Sequence, residues 1–226
     1  MNRFTQLKQT AQVFLVVSAL TCLCLGPTPR ATGVIPAQAA NVIHSFAGDE
    51  DGEYADTDLE TDSAGNIYGT TVLGGDFGSG TVFQLSSTSN GWVHTVLYSF
   101  TGGADGAEPY KGVTLDREDN LYGTAVTGGS GSCEGGCGLV YKLTNSGGTW
   151  TQTVIHAFTG GDDGSGPGAR VTVDRSGNIY GMTPTGGANG LGTIYKINRN
   201  MEGLGPSGSF TRLRAERTEG QAPLEG

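Results

Sequence analysis

Histidine is nearly missing from this sequence: His44, His94 and His156 are the only three in 226 residues. No His-Glu-x-x-His, no Gly-x-Ser-x-Gly and no plausible Ser-His-Asp set occurs, which excludes the common zinc-peptidase and serine-hydrolase signatures. Charge is thin at 15%, and positive charge thinnest, with 13 Lys and Arg against 22 Asp and Glu. Such a chain repels phosphate backbones and anionic bilayers, so nucleic acid is excluded as a partner. Helical periodicity is absent beyond the first 39 residues, which excludes a helical class. Beyond that point only Cys133 and Cys137 remain of four cysteines. Two thiols fall short of the four N/S ligands of structural zinc.

What the chain has in excess is glycine, 40 residues of it, without a collagen period or a low-complexity run. The glycines punctuate short runs of Val, Ile, Thr, Tyr and Phe, the composition of strands and tight turns. One pattern recurs three times: Asp-x-x-(Gly/Asp)-Asn, an apolar residue, Tyr and Gly, at Asp62–Gly69, Asp116–Gly123 and Asp174–Gly181. Around it the order of motifs repeats. Each repeat has an apolar opening run ending on Phe46, Phe100 or Phe158. An Asp-Gly turn follows at Asp51, Asp105 or Asp163, and then the Asp-Asn turn. A Gly-Gly pair at Gly74, Gly128 or Gly186 precedes a closing run at 81–85, 139–143 or 193–197. A unit of some fifty residues cannot bury its own apolar face, so successive units must stack.

The expected fold is therefore all-β: a partial β-propeller of about three four-stranded antiparallel blades plus the start of a fourth. Residues 1–39 read as a signal peptide, from Arg3 and Lys8, the uncharged run Val13–Leu25 and the small-residue site Ala37-Gln38-Ala39. Neither Cys22 nor Cys24 sits in a lipoprotein pattern. Residues 40–200 hold the three repeats, at about 41–93, 94–151 and 152–200. Residues 201–226 read as a poorly ordered, incomplete fourth, with Phe210 in the opening position and Glu219–Gly226 matching Asp105–Gly112. Removing the leader takes Arg3, Lys8 and Arg30, leaving 10 basic residues against 22 acidic ones, a formal −12.

The string Leu97-Tyr98-Ser99-Phe100-Thr101-Gly102-Gly103-Ala104-Asp105-Gly106, with Leu115-Asp116 and Asn120-Leu121-Tyr122-Gly123-Thr124, resembles the GloVer tandem-repeat family. Those proteins are also described as choice-of-anchor tandem repeat proteins. The resemblance covers residues 41–200 and, more weakly, 210–226. It implies a propeller-like β fold, export from a bacterial cell and a C-terminal surface-sorting segment, and it implies no activity. This chain departs from the pattern in lacking later repeats and an anchor, and reads as a fragment of a longer propeller.

Several residues invite chemistry, and each has a plainer reading. Cys133 and Cys137 fall in a loop four residues longer than in the other repeats, as Tyr122 to Tyr141 against Tyr68 to Phe83 shows. Their expected role is a disulfide stapling that insertion. His44 and His156 share one repeat position, where the second repeat has Tyr98, so the position reads as a packed amphipathic ring and not as a metal ligand. The acidic run Asp49, Glu50, Asp51, Glu53, Asp56, Asp58, Glu60, Asp62 could offer oxygens to calcium. It lacks EF-hand spacing and reads as a solvated edge. Gly74–Gly80 precedes a strand, whereas a phosphate cradle needs a helix N-terminus.

Asp62, Asn66, Asp116, Asn120, Asp174 and Asn178 are assigned to repeat turns. No catalytic, metal or cofactor residue is assigned. The leading expectation is an exported, non-catalytic interaction scaffold, secreted or in the cell envelope, with a protein or glycan partner. It has no membrane span after leader removal and open blade edges that could self-associate. The alternative is a propeller hydrolase or lyase acting on an extracellular carbohydrate or lactone.

Overall fold

The computed structural model describes residues 40–199, and the leader and fourth-repeat expectations lie outside them. Eleven strands run in chain order: β1 Glu60–Thr61, β2 Ile67–Thr71, β3 Thr81–Thr88, β4 Gly91–Ser99, β5 Val113–Leu115, β6 Leu121–Ala125, β7 Leu139–Ser146, β8 Thr149–Ala157, β9 Thr172–Val173, β10 Ile179–Thr183 and β11 Thr193–Ile197. A short 3-10 turn lies at Asp49–Asp51. The strands form antiparallel meanders in three sheets: β1-β2-β3-β4, β5-β6-β7-β8 and β9-β10-β11. The all-β expectation holds, and no sheet closes on itself.

Sheet membership corrects the reading of each repeat as one blade. The opening run of a repeat joins the closing strand of the repeat before it. Leu85 faces His94 across β3 and β4, and Leu143 faces Gln152 across β7 and β8. Two-residue turns at Ser89-Asn90 and Gly147-Gly148 make these hairpins; Gly147 and Gly148 both have positive φ, as a twist-matched hairpin turn requires. Both hairpins carry a register shift at the same place, after Val82 and after Val140. Two sheets thus have four strands. The third has three among the described residues. The opening run of the first repeat, Val42-Ile43-His44, forms no strand.

Successive sheets pack through their broad faces. Tyr68 and Val82 of the first sheet meet Phe100, Val113, Leu121, Leu139 and Tyr141. Tyr122 and Val140 of the second meet Phe158, Val171, Ile179 and Tyr195. The opening Phe sits edge-on to the closing-strand aromatic each time: Phe46 on Phe83 at 5.2 Å, Phe100 on Tyr141 at 5.0 Å, Phe158 on Tyr195 at 5.1 Å between centroids. Glycine beside the signature Tyr lets these rings lie flat on the backbone, since a Cβ at Gly69 would come within 2.6 Å of the Phe83 ring.

Candidate functional site

Three carboxylate turns recur at one end of the meanders, between β1 and β2, β5 and β6, and β9 and β10. In the first, Asp62 Oδ1 accepts from the backbone N–H of Ala64 and of Asn66, both at 2.9 Å. Its Oδ2 accepts from Asn66 Nδ2 at 2.8 Å and from the Tyr68 hydroxyl at 3.0 Å. Asp116 repeats this with Glu118, Asn120 and Tyr122, and Asp174 with Ser176, Asn178 and Tyr180. Gly65, Asp119 and Gly177 take the left-handed position that closes each turn. All six turn residues picked from sequence are thus brought into three identical pairs.

This bonding fixes the chemistry. Burial pulls the carboxyls of Asp62 and Asp116 upward, yet the hydrogen bonds from Asn and Tyr outweigh it and hold both below the ordinary carboxylate range. For Asp174 the Asn178 side chain leads, and the value falls to about 2. A carboxylate with four donors is ionised at neutral pH and has no proton to deliver as a general acid. The Tyr68 hydroxyl, pushed up to about 12 by burial and by Asp62, stays a donor.

A second recurrent pair lies at the Asp-Gly turns. Tyr98 donates to Asp105 Oδ2 at 2.9 Å, His156 Nε2 lies 3.3 Å from Asp163 Oδ2, and His44 Nε2 lies 3.6 Å from Asp51 Oδ2. Thr101 and Thr159 bond to the same carboxylates through both backbone N–H and hydroxyl. Burial outweighs Asp163 and pulls His156 below its usual value, so the ring is neutral at pH 7. The His/Tyr column is therefore an anchor for the turn seven residues on. No group of three or more His, Cys, Asp or Glu side chains among the described residues is placed to hold a metal ion.

The acidic run is dispersed. Asp51 holds the Ala47 amide, Asp62 serves its own turn, and Glu60 pairs with Arg170, a contact 110 residues apart in sequence. Sequence reasoning missed that last pair. Glu60 lies on β1 and Arg170 just before β9, and Arg170 Nε also donates to Thr114 Oγ1 on β5 at 3.0 Å. The first strands of all three sheets therefore lie side by side, which no local pattern signals.

Cys133 and Cys137 are joined by a disulfide, with Cα atoms 5.0 Å apart, inside the loop between β6 and β7. Where that loop is short, in the first and third repeats, Gly80 bonds back to Gly74 at 3.0 Å and Gly192 to Gly186 at 2.9 Å. The second repeat keeps the same closure, Gly138 to Gly128 at 3.0 Å, and carries the stapled residues outside it. Both Gly-rich loops run into strands and present no helix N-terminus.

Aromatic side chains remain at the surface: Tyr54, Phe77, Trp92 and Tyr110 are all exposed. They are the groups the described surface can offer to a sugar face or an apolar peptide. No helix among the described residues is long and apolar enough to cross a membrane. A family model described as the Gloeobacter/Verrucomicrobia repeat matches residues 93–226. No curated protein matches the chain.

Proposed function

The chain belongs to the Gloeobacter/Verrucomicrobia repeat family, and on that premise we propose that it is an exported, non-catalytic interaction scaffold of the cell envelope or extracellular space. Its sheets stack about an axis in the manner of propeller blades. The observation that carries this reading is the consumption of every recurrent carboxylate by its own turn. A protein whose repeated polar groups are all spent on backbone architecture has variable loops and surface aromatics left for recognition. The leader-like residues 1–39 and the Cys133–Cys137 disulfide support an oxidising destination.

The hydrolase or lyase reading draws on Glu60 and Arg170, charged residues that do not recur and that meet Thr114 at the first strands of the sheets. The Glu60–Arg170 ion pair weakens it, since the carboxylate is already engaged by the guanidinium.

Expression of the full chain in a Gram-negative host tests the proposal. The product is expected outside the cytoplasm, beginning after Ala39, and to bind members of a glycan or envelope-protein panel without turning them over. Binding should fall at least threefold in Trp92→Ala or Tyr110→Ala. Retention in the cytoplasm with residues 1–39 intact, or turnover abolished by Glu60→Gln, overturns it.

A further inference from the structure

Two parts of the described chain are halves of contacts that the molecule completes elsewhere. The first is the outward face of the third sheet. Ile194 holds the place of Val82 and Val140, and Met182 that of Thr70 and Thr124. The earlier four side chains are buried between sheets, whereas Ile194 is 66% exposed and Met182 53%. On the same sheet β11 has no described strand on its outer side, where β3 has β4 and β7 has β8.

The second half is the segment 42–46 with the face behind it. Val42-Ile43-His44 is an opening run without a strand to pair with. It nevertheless sits on the first sheet as its counterparts sit on the second and third. Phe46 lies edge-on to Phe83, and His44 lies by Asp51 and stacks on His94 at 4.3 Å. Gln152, the counterpart of His94, reaches the Asp105 carbonyl at 3.1 Å in the same arrangement. Beside it Leu59 is 55% exposed, although Val113 and Val171 at the same position are buried.

We propose that these halves meet between two copies of the chain: β11 of one pairs antiparallel with Val42–Phe46 of the second, and the third sheet seats on the second copy's first sheet. Made reciprocally, the contact closes a ring. The described residues of two copies supply six sheets, inside the four to eight that propellers use, whereas those of three copies supply nine. The register follows from the internal pairs. Val82 faces Tyr98 and Val140 faces His156, so Ile194 faces His44. Phe83 faces Val96 and Tyr141 faces Val154, so Tyr195 faces Val42. Gln84 with Thr95 and Lys142 with Thr153 place Lys196 opposite Asn41. Neither half must rearrange, since 42–46 already rests on its sheet with its outer edge open. Both copies are acidic, so added salt strengthens the association. The inference rests on the face-to-face stacking proposed above and is independent of the scaffold role.

Light scattering on the purified full chain is expected to give twice 23.2 kDa, or twice the mass left after leader cleavage. Ile194→Lys should weaken dimerisation at least tenfold while leaving the circular dichroism of the monomer unchanged, because that side chain is already in water. In a Cys22→Ser, Cys24→Ser background, Asn41→Cys with Lys196→Cys should form a disulfide that peptide mapping assigns between chains. A monomeric wild type, a dimer indifferent to Ile194→Lys, or a 41–196 bond within one chain overturns the proposal. A closed dimer that turns over a substrate would sink the scaffold reading and leave this one standing.

Discussion

Val140 in the second sheet and Ile194 in the third occupy one repeat position on equivalent strands, yet the first is fully buried and the second is 66% exposed. The Asp turns beneath them are bonded alike, donor for donor. Local geometry in this protein is thus set within each repeat. Burial is set by the neighbour, and the third sheet, with no described neighbour on that face, keeps its shape while exposing the surface its counterparts pack.

The comparison breaks most sharply by charge. Val140→Asp places a carboxylate among Phe158, Val171 and Tyr195 and should cost about 4 kcal/mol of unfolding free energy. Ile194→Asp, measured by urea unfolding at concentrations where the chain is monomeric, should stay within about 0.5 kcal/mol. Equal losses would mean that the outward face is covered after all.

Next in size are the turn amides. Asn120 is buried and Asn178 only half-buried; both donate to their Asp, and Asn178 Oδ1 also accepts from the Arg199 backbone N–H at 3.4 Å. Asn120→Ala should lower stability by about 1.5 kcal/mol and Asn178→Ala by roughly half that, read from urea midpoints at constant slope.

Acid offers a finer probe. The turn carboxylates are held below their ordinary values when folded, so the stability they contribute is whole above the unfolded value of about 4. It is lost as pH falls through the folded values, about 2 at Asp174. Asp116→Asn and Asp174→Asn should each flatten the acid limb of the stability curve, because each removes a carboxylate that folding holds below its ordinary value. At the alkaline end the sign reverses for Tyr68: its hydroxyl is raised, so its contribution holds below about pH 10 and fades toward about 12. A phenolate absorbance titration would show this tyrosine titrating late, though before Tyr98, Tyr141 and Tyr195, which burial raises further.

The most local effect concerns the one loop that sets the second repeat apart. Cys133→Ser with Cys137→Ser removes a very short closure, worth about 2 kcal/mol at most on chain entropy and less if strain offsets it. Hydrogen exchange should change in residues 129–138 and leave β6 and β7 as they were.

How far the sequence led differs between kinds of structure. The Asp-Asn turns were legible because every donor lies within six residues of the carboxylate it serves, so the motif and the hydrogen bonds are the same object. The disulfide was legible because loop length differed between repeats. Sheet membership was not, since a repeat can be cut anywhere along its period. The deciding signal was the two-residue turn at Ser89-Asn90 and Gly147-Gly148, between runs read as separate. The Glu60–Arg170 pair had no signal at all, because sheet stacking alone brings residues 110 positions apart into contact. The exposure of Met182 was equally hidden, for composition shows an apolar residue and not the missing neighbour.

The glycine seam has a consequence for engineering. Gly74, Gly128 and Gly186 lie so close to Gly52, Gly106 and Gly164 that a methyl group would come within 2.7, 2.6 and 2.5 Å of the facing Cα. Nothing bulky can be threaded through those crossings. The stapled excursion keeps the Gly138 to Gly128 closure and adds a second tie to the seam, the Gly128 amide donating to the Gly135 carbonyl at 2.7 Å. A foreign epitope spliced at the exposed Glu134, short of that tie, would be displayed as a tethered loop.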